Sequence, residues 1–168
     1  SCYTCVGKGS NLDHKCDSCN DGFYLAESTK SCYSKDTSLE RYVFDNTQGK
    51  FVFCYSSCLF CSGVGDDTNH KCTKCKSGYF PLVDDSTKCY PTTAIIPGYF
   101  YDSTNYIFSR CYFSCKFCIS YGDYNSHLCT TCNDLYYPLE DNTQNCYNSD
   151  ILGYYFVSNI YRRCYTSC

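Results

Sequence analysis

The chain has 168 residues, a formal net charge of −3 with both signs mixed along it, and 19 cysteines, more than a tenth of the total. Cysteine at that density describes a disulfide scaffold of an oxidising compartment, secreted or displayed on a cell surface. The charge leaves no basic face for nucleic acid and no polybasic membrane anchor, and the longest apolar runs, near Ala94-Ile95-Ile96 and from Tyr154 to Val157, are far too short to span a bilayer.

Taken in chain order, the cysteines fall into three sets. Cys2, Cys5, Cys16, Cys19, Cys32 and Cys54 form the first, Cys58, Cys61, Cys72, Cys75, Cys89 and Cys111 the second, and Cys115, Cys118, Cys129, Cys132, Cys146 and Cys164 the third. The spacing C-x2-C-x10-C-x2-C, then C after 12 or 13 residues and C after 17 or 21, marks a tandem repeat of about 56 residues. The repeats are placed at residues 1–57, 58–114 and 115–167. Cys168 stands in the register of a fourth first cysteine, unpaired within this chain, which predicts that the array continues. The lack of methionine and of a signal sequence reads as a processed or excerpted piece. A unit of this size buries too little to be safely stable alone, and each short disulfide loop is expected to add roughly 3 kcal/mol.

Between the CxxC pairs, Gly7 and Gly9, Gly63 and Gly65, or Ser120 and Gly122 suggest turns held between cross-links. After the second pair comes an apolar step, Gly22-Phe23-Tyr24-Leu25, Gly78-Tyr79-Phe80 or Leu135-Tyr136-Tyr137; the third lacks the glycine, which leaves room for a different turn. A polar turn and a Cys-Tyr pair then complete a small hairpin. A second hairpin is predicted before each sixth cysteine: Arg41 to Phe44 against Lys50 to Phe53, Tyr99 to Tyr101 against Tyr106 to Phe108, and Tyr154 to Phe156 against Ile160-Tyr161. No apolar period of 3.6 residues calls for a helix. The fold class is therefore a small disulfide-rich one of β-hairpins and loops, three six-cysteine repeats in a linear, solenoid-like rod.

The CxxC spacing is close to that of a four-cysteine zinc site, but two further cysteines per repeat and the oxidising context favour bridges, so no metal and no cofactor is expected. His14, His70 and His127, each two residues before a third cysteine, are read as loop residues bonded to backbone rather than ligands or pH switches. Asp66, Asp67 and Asp123 lack the spacing of a calcium loop and read as turn residues. The 20 tyrosines and 11 phenylalanines recur in register, as packing positions should. No N-glycosylation sequon occurs, while Thr92, Thr93 and the Ser/Thr-rich turns offer acceptors for O-linked sugars.

Six cysteines allow fifteen connectivities, and spacing does not choose among them. The string CxxC…CxxCxxG followed by two aromatics and Cys-Tyr resembles furin-like and growth-factor-receptor cysteine-rich repeats, and more closely the CxxC-rich surface and secreted proteins of single-celled eukaryotes. The resemblance implies bridges from first to third, second to fourth and fifth to sixth cysteine: Cys2 to Cys16, Cys5 to Cys19 and Cys32 to Cys54; Cys58 to Cys72, Cys61 to Cys75 and Cys89 to Cys111; Cys115 to Cys129, Cys118 to Cys132 and Cys146 to Cys164. Three interchangeable repeats whose register runs off both ends suggest an extracellular structural role, the shaft of a filament, coat or appendage, with further copies or repeats as partners. A receptor or adhesin ectodomain that binds or spaces a ligand is the alternative. No catalytic residues are expected, since neither a carboxylate pair nor a Ser/His/Asp order stands out.

Overall fold

The computed structural model describes residues 1–11 and 13–165, so Cys168 lies outside the described residues. Cysteine pairs and turn residues interrupt the chain every few positions, and its regular elements are correspondingly short. Every one among the described residues is a β-strand, and no helix forms. The chain divides into two compact units, Ser1–Pro91 and Thr92–Cys168.

In the first unit β1 (Cys2–Cys5) pairs with β2 (Cys16–Cys19), β3 (Phe23–Leu25) with β4 (Cys32–Ser34), and β5 (Tyr42–Asp45) with β6 (Lys50–Phe53), all antiparallel. The order then begins again with β7 (Cys58–Cys61) on β8 (Cys72–Cys75) and β9 (Tyr79–Leu82) on β10 (Asp85–Pro91). In the second unit β11 (Tyr99–Asp102) pairs with β12 (Ile107–Arg110), β13 (Cys115–Cys118) with β14 (Cys129–Cys132), β15 (Tyr137–Pro138) with β16 (Cys146–Tyr147), and β17 (Tyr154–Val157) with β18 (Ile160–Arg163). Three kinds of ladder thus recur: a cysteine ladder, a short hairpin and an aromatic hairpin. Single parallel bridges, Ala26 with Phe51 and Leu139 with Tyr161, join the short hairpin to the aromatic one.

The pairing of the sulfurs corrects part of what the resemblance implied. Cys2–Cys16, Cys58–Cys72 and Cys115–Cys129 join first to third cysteine. The fourth joins the fifth, as Cys19–Cys32, Cys75–Cys89 and Cys132–Cys146. The sixth joins the second cysteine of the following repeat, as Cys54–Cys61 and Cys111–Cys118. The bridges implied for Cys5 to Cys19, Cys61 to Cys75, Cys118 to Cys132, Cys32 to Cys54, Cys89 to Cys111 and Cys146 to Cys164 are therefore not formed, and Cys5 and Cys164 carry free thiols.

The reason lies in the cysteine ladder. By register Cys58 faces Cys75 and Cys61 faces Cys72, but the register shifts on both sides of Phe60. Such bulges turn a strand about its axis and re-aim its side chains. Cys58 and Cys72 are consequently buried together across the diagonal, while half-buried Cys61 and Cys75 are left to reach flanking segments. The segment before the next ladder is brought in by backbone bonds, Arg41 N–H to the Leu59 carbonyl at 2.6 Å and Gly98 N–H to that of Lys116 at 2.8 Å, which set Cys54 and Cys111 beside Cys61 and Cys118.

The core is built of these bridges. One cluster gathers Cys54, Cys58, Cys72 and Cys89 with Tyr55 and Tyr79 packed against it, and another gathers Cys115, Cys129 and Cys146 with Tyr112 and Tyr136. Aromatic rings supply the rest: buried Phe51 meets Phe44 at 5.3 Å and Tyr33 at 6.3 Å, and buried Tyr161 meets Phe156 at 5.1 Å.

Two backbone positions are tightly specified. A Cβ on Gly9, Gly65 or Gly122 would lie 2.4, 2.1 or 2.1 Å from the carbonyl oxygen of His14, His70 or His127, so only glycine fits. Leu135 has φ 68°, the left-handed conformation that Gly22 and Gly78 take at 78° and 83°. The third turn thus keeps the geometry of the others at a steric cost of about 1–2 kcal/mol for a side chain there.

Gly65→Ala is expected to lower the unfolding free energy by roughly 2 kcal/mol through this overlap, measured by urea denaturation with bridges intact. Gly63→Ala, whose new methyl meets only the flexible Lys71 chain at 3.4 Å, should change it little. Leu135→Gly should raise stability by up to about 1 kcal/mol, because it relieves the left-handed strain and Leu135 is exposed.

Candidate functional site

At the centre of each cysteine ladder's mouth sits a histidine. His70 and His127 lie on loops, as expected from sequence, yet are 3% and 2% exposed, so the loops carry them into the core. Ser57 Oγ lies 3.1 Å from His70 Nδ1 and Ser114 Oγ 2.9 Å from His127 Nδ1. The same nitrogen accepts the backbone N–H of the fifth cysteine, Cys89 at 3.1 Å and Cys146 at 3.0 Å. Because Nδ1 accepts that bond it carries no hydrogen, and the ring proton is assigned to Nε2. Tyr55 and Tyr112 stack on the rings at 4.3 Å, and Tyr90 and Tyr147 tilt against them at 4.9 and 4.8 Å. The first repeat repeats the motif more openly, with Ser1 Oγ at 3.2 Å, Cys32 N–H at 3.3 Å and Tyr33 at 4.9 Å from His14.

Burial pushes the pKa of both His70 and His127 below the ordinary value of 6.5. The serine–histidine pair has the atoms of a nucleophile and its base, yet Ser57 and Ser114 are as buried as the rings, and Nδ1 is already engaged by a backbone N–H. Among the described residues no carboxylate completes a triad: Asp67 accepts the Tyr55 hydroxyl at 2.7 Å instead. The arrangement ties the segment before the first cysteine to that holding the third and to the fifth, and so fixes the mouth of the ladder. A signal for it was present in the sequence, since Ser1, Ser57 and Ser114 recur one residue before a first cysteine just as the histidines recur two before a third.

Cys58 and Cys72 bridge each other while Cys61 and Cys75 bridge Cys54 and Cys89, so the four are not gathered around a zinc ion. Among the described residues no group of three or more His, Cys, Asp or Glu side chains is placed to hold a metal. Asp66 Oδ1 accepts the N–H groups of Thr68 and Asn69, both at 2.8 Å, and Asp123 Oδ1 those of Asn125 and Ser126 at 2.8 and 2.9 Å, which makes both the heads of turns. The Thr68 hydroxyl, followed by those N–H groups, holds the Asp66 carboxyl below its usual range.

The two free thiols occupy equivalent half-sites. Cys5 faces Cys16 as Cys61 faces Cys72 and Cys118 faces Cys129. Cys164 donates its N–H to the Gly153 carbonyl at 2.8 Å, as Cys111 does to Gly98 at 2.9 Å and Cys54 to Arg41 at 2.8 Å. In all three cases the accepting residue is left-handed, with φ of 82°, 80° and 69°. Cys5 therefore stands where a second cysteine receives a bridge, and Cys164 where a sixth cysteine gives one.

Comparison with models of protein families, with curated proteins and with solved structures returned no match. The extent of disulfide bonding fits an oxidising environment, and no helix of the described residues is long and apolar enough to cross a membrane.

The histidines make stability depend on pH with a definite sign. Their folded-state pKa values lie below 6.5, so the unfolded chain takes up protons first, and the contribution that is complete above pH 6.5 is lost as the pH falls toward the folded values. Protonation would also place a hydrogen on Nδ1 facing the Cys89 or Cys146 N–H. The thermal midpoint is expected to drop between pH 7.5 and about pH 5, above the range where carboxylates titrate. A midpoint that held steady or rose in circular-dichroism melts would contradict this account.

Proposed function

We propose that the chain is a structural extracellular protein, a repeating stretch in the shaft of a filament, surface coat or appendage, in which disulfide-stapled units follow one another head to tail. The observation that carries this reading is the bridge from a sixth cysteine to the second cysteine of the next repeat. Cys54–Cys61 and Cys111–Cys118 link successive repeats instead of closing each on itself. Cys5 and Cys164 hold the two halves of one more such link. A linkage that always points to the next unit propagates without closing. Its partners are further repeats, in a longer chain or in other copies, and the fold is given no catalytic role.

A second reading, the ligand-binding or spacer region of a surface receptor or adhesin, is favoured by the divergence of the last repeat. Phe113, two residues before that repeat's first cysteine, and Tyr124 within it stand where Ser56 and Asp67 stand one period earlier.

In native, unreduced material Cys5 and Cys164 are expected to be oxidised, Cys164 to a cysteine in the Cys5 position of a further unit. Each such bridge forms as two thiols pass two protons and two electrons to a disulfide oxidant. Negative-stain electron microscopy should show periodic filaments that come apart on reduction, and peptide mapping should recover the Cys164 bridge. Isolated particles attached to membrane, with both thiols open to alkylation, would refute the structural role and favour the receptor reading.

A further inference from the structure

We propose that the second compact unit holds a binding site for a small molecule bearing a methylated ammonium group. A cavity of about 370 Å³ opens there, walled by Tyr112, Phe113, Tyr124, Tyr136 and Tyr147, with Asp150 on its lining. That volume falls within the range of small-molecule sites, which combine aromatic walls with a few placed polar groups.

The rings are set as walls rather than as a flat platform. Phe113 lies 4.4 Å from Tyr112 with 41° between the planes, and crosses Tyr136 at 6.0 Å and 75°. Phe113 is 66% exposed and Tyr124 77% exposed, so neither ring is there to fill a core. Both depart from the positions one period earlier, Ser56 and Asp67, of which the aspartate binds the Tyr55 hydroxyl. The exchange removes a carboxylate latch and puts two rings around the opening.

Charge decides which guest the walls suit. Aromatic faces are electronegative and attract cations, most strongly where water is excluded. Asp150 is the one charged side chain of the lining, no lysine or arginine shares it, and Asp150 makes no ion pair among the described residues. The histidine beneath, His127, is held neutral by burial and does not oppose a cation. The chain already uses this chemistry elsewhere, with the Arg41 guanidinium 5.9 Å from the centre of the Phe53 ring. A quaternary, fully methylated ammonium is bulky, weakly hydrated and has no N–H to give a carboxylate, which matches a cage of rings with a single acid on its lining. A saccharide would instead call for several paired donors and acceptors around its hydroxyls.

The test is a titration of the oxidised protein with choline, followed by the ring resonances of Phe113 and Tyr124, beside 3,3-dimethylbutan-1-ol, the uncharged molecule of the same shape. Choline should shift both rings and bind at least about tenfold more tightly than the neutral compound, the size expected of a cation–π cage. Tyr124→Phe should keep the affinity, because the ring and not the hydroxyl recognises the guest. Tyr124→Ala and Asp150→Asn should each weaken it about five- to tenfold, while Tyr121→Ala, exposed but outside the lining, should leave it unchanged. Asp150→Asn is nearly isosteric at an exposed position, so its effect is free of any folding defect. Equal binding of the two compounds would overturn the proposal, as would shifts with glucose and none with choline, or no response of either ring to choline in large excess.

Discussion

The bridge between the first and third cysteine of each ladder is the contact on which the other elements depend. In Cys58–Cys72 and its two counterparts, sulfur occupies the place that leucine or valine would hold in a larger domain. The bulges that bury this pair also expel the second and fourth cysteines from the centre, and those two then have no partner inside their own ladder. One is taken by the segment that follows, the other by the segment that precedes. A local irregularity of a four-residue strand thereby sets how every repeat is joined to the next. Glycine at positions 9, 65 and 122 belongs to the same device, since it lets the histidine carbonyl come close enough for the ladder to close beside the histidine ring.

Much of the architecture was legible in the spacing and alternation of residues. The two hairpins after each CxxC ladder fall where turn residues and alternating aromatics place them, and the absence of helix follows from the missing 3.6-residue period. The cysteine ladders and their pairing were not legible in this way. Spacing tells how far apart two sulfurs lie along the chain, but the choice among fifteen connectivities turns on which side of a strand each faces, and the bulge beside Phe60 inverts what simple alternation would give. The turn at Leu135 hides its geometry for a similar reason, because a leucine carries no sign that its backbone is left-handed.

The candidate sites divide in the same manner. The histidines stood out by position, but their burial and their link to a serine thirteen residues earlier depend on the ladder folding back on itself. Aspartates at turn heads behaved as their side chains dictate, because a short carboxylate finds the N–H groups two and three residues on without help from the rest of the fold. Local chemistry can be read from local sequence, whereas a site assembled by cross-links between distant segments requires the cross-links first.

Joining fourth to fifth and sixth to second, rather than fifth to sixth, leaves one long stretch of every repeat outside any closed covalent loop, beside the two residues between its third and fourth cysteines. From Cys54 the shortest bonded route runs through Cys58, across to Cys72, along to Cys75 and across to Cys89, so almost nothing there can lengthen. Between Cys32 and Cys54, by contrast, 21 residues carry the aromatic hairpin of β5 and β6 with no bridge across them. Pulled from its two ends, such a chain would yield chiefly at these hairpins. Each 21-residue stretch would pay out about 70 Å of contour while the stapled ladders stayed shut, and stacked aromatics would draw it back. The protein is in that sense a series of stiff links separated by springs, with the spring constant written in tyrosine and phenylalanine.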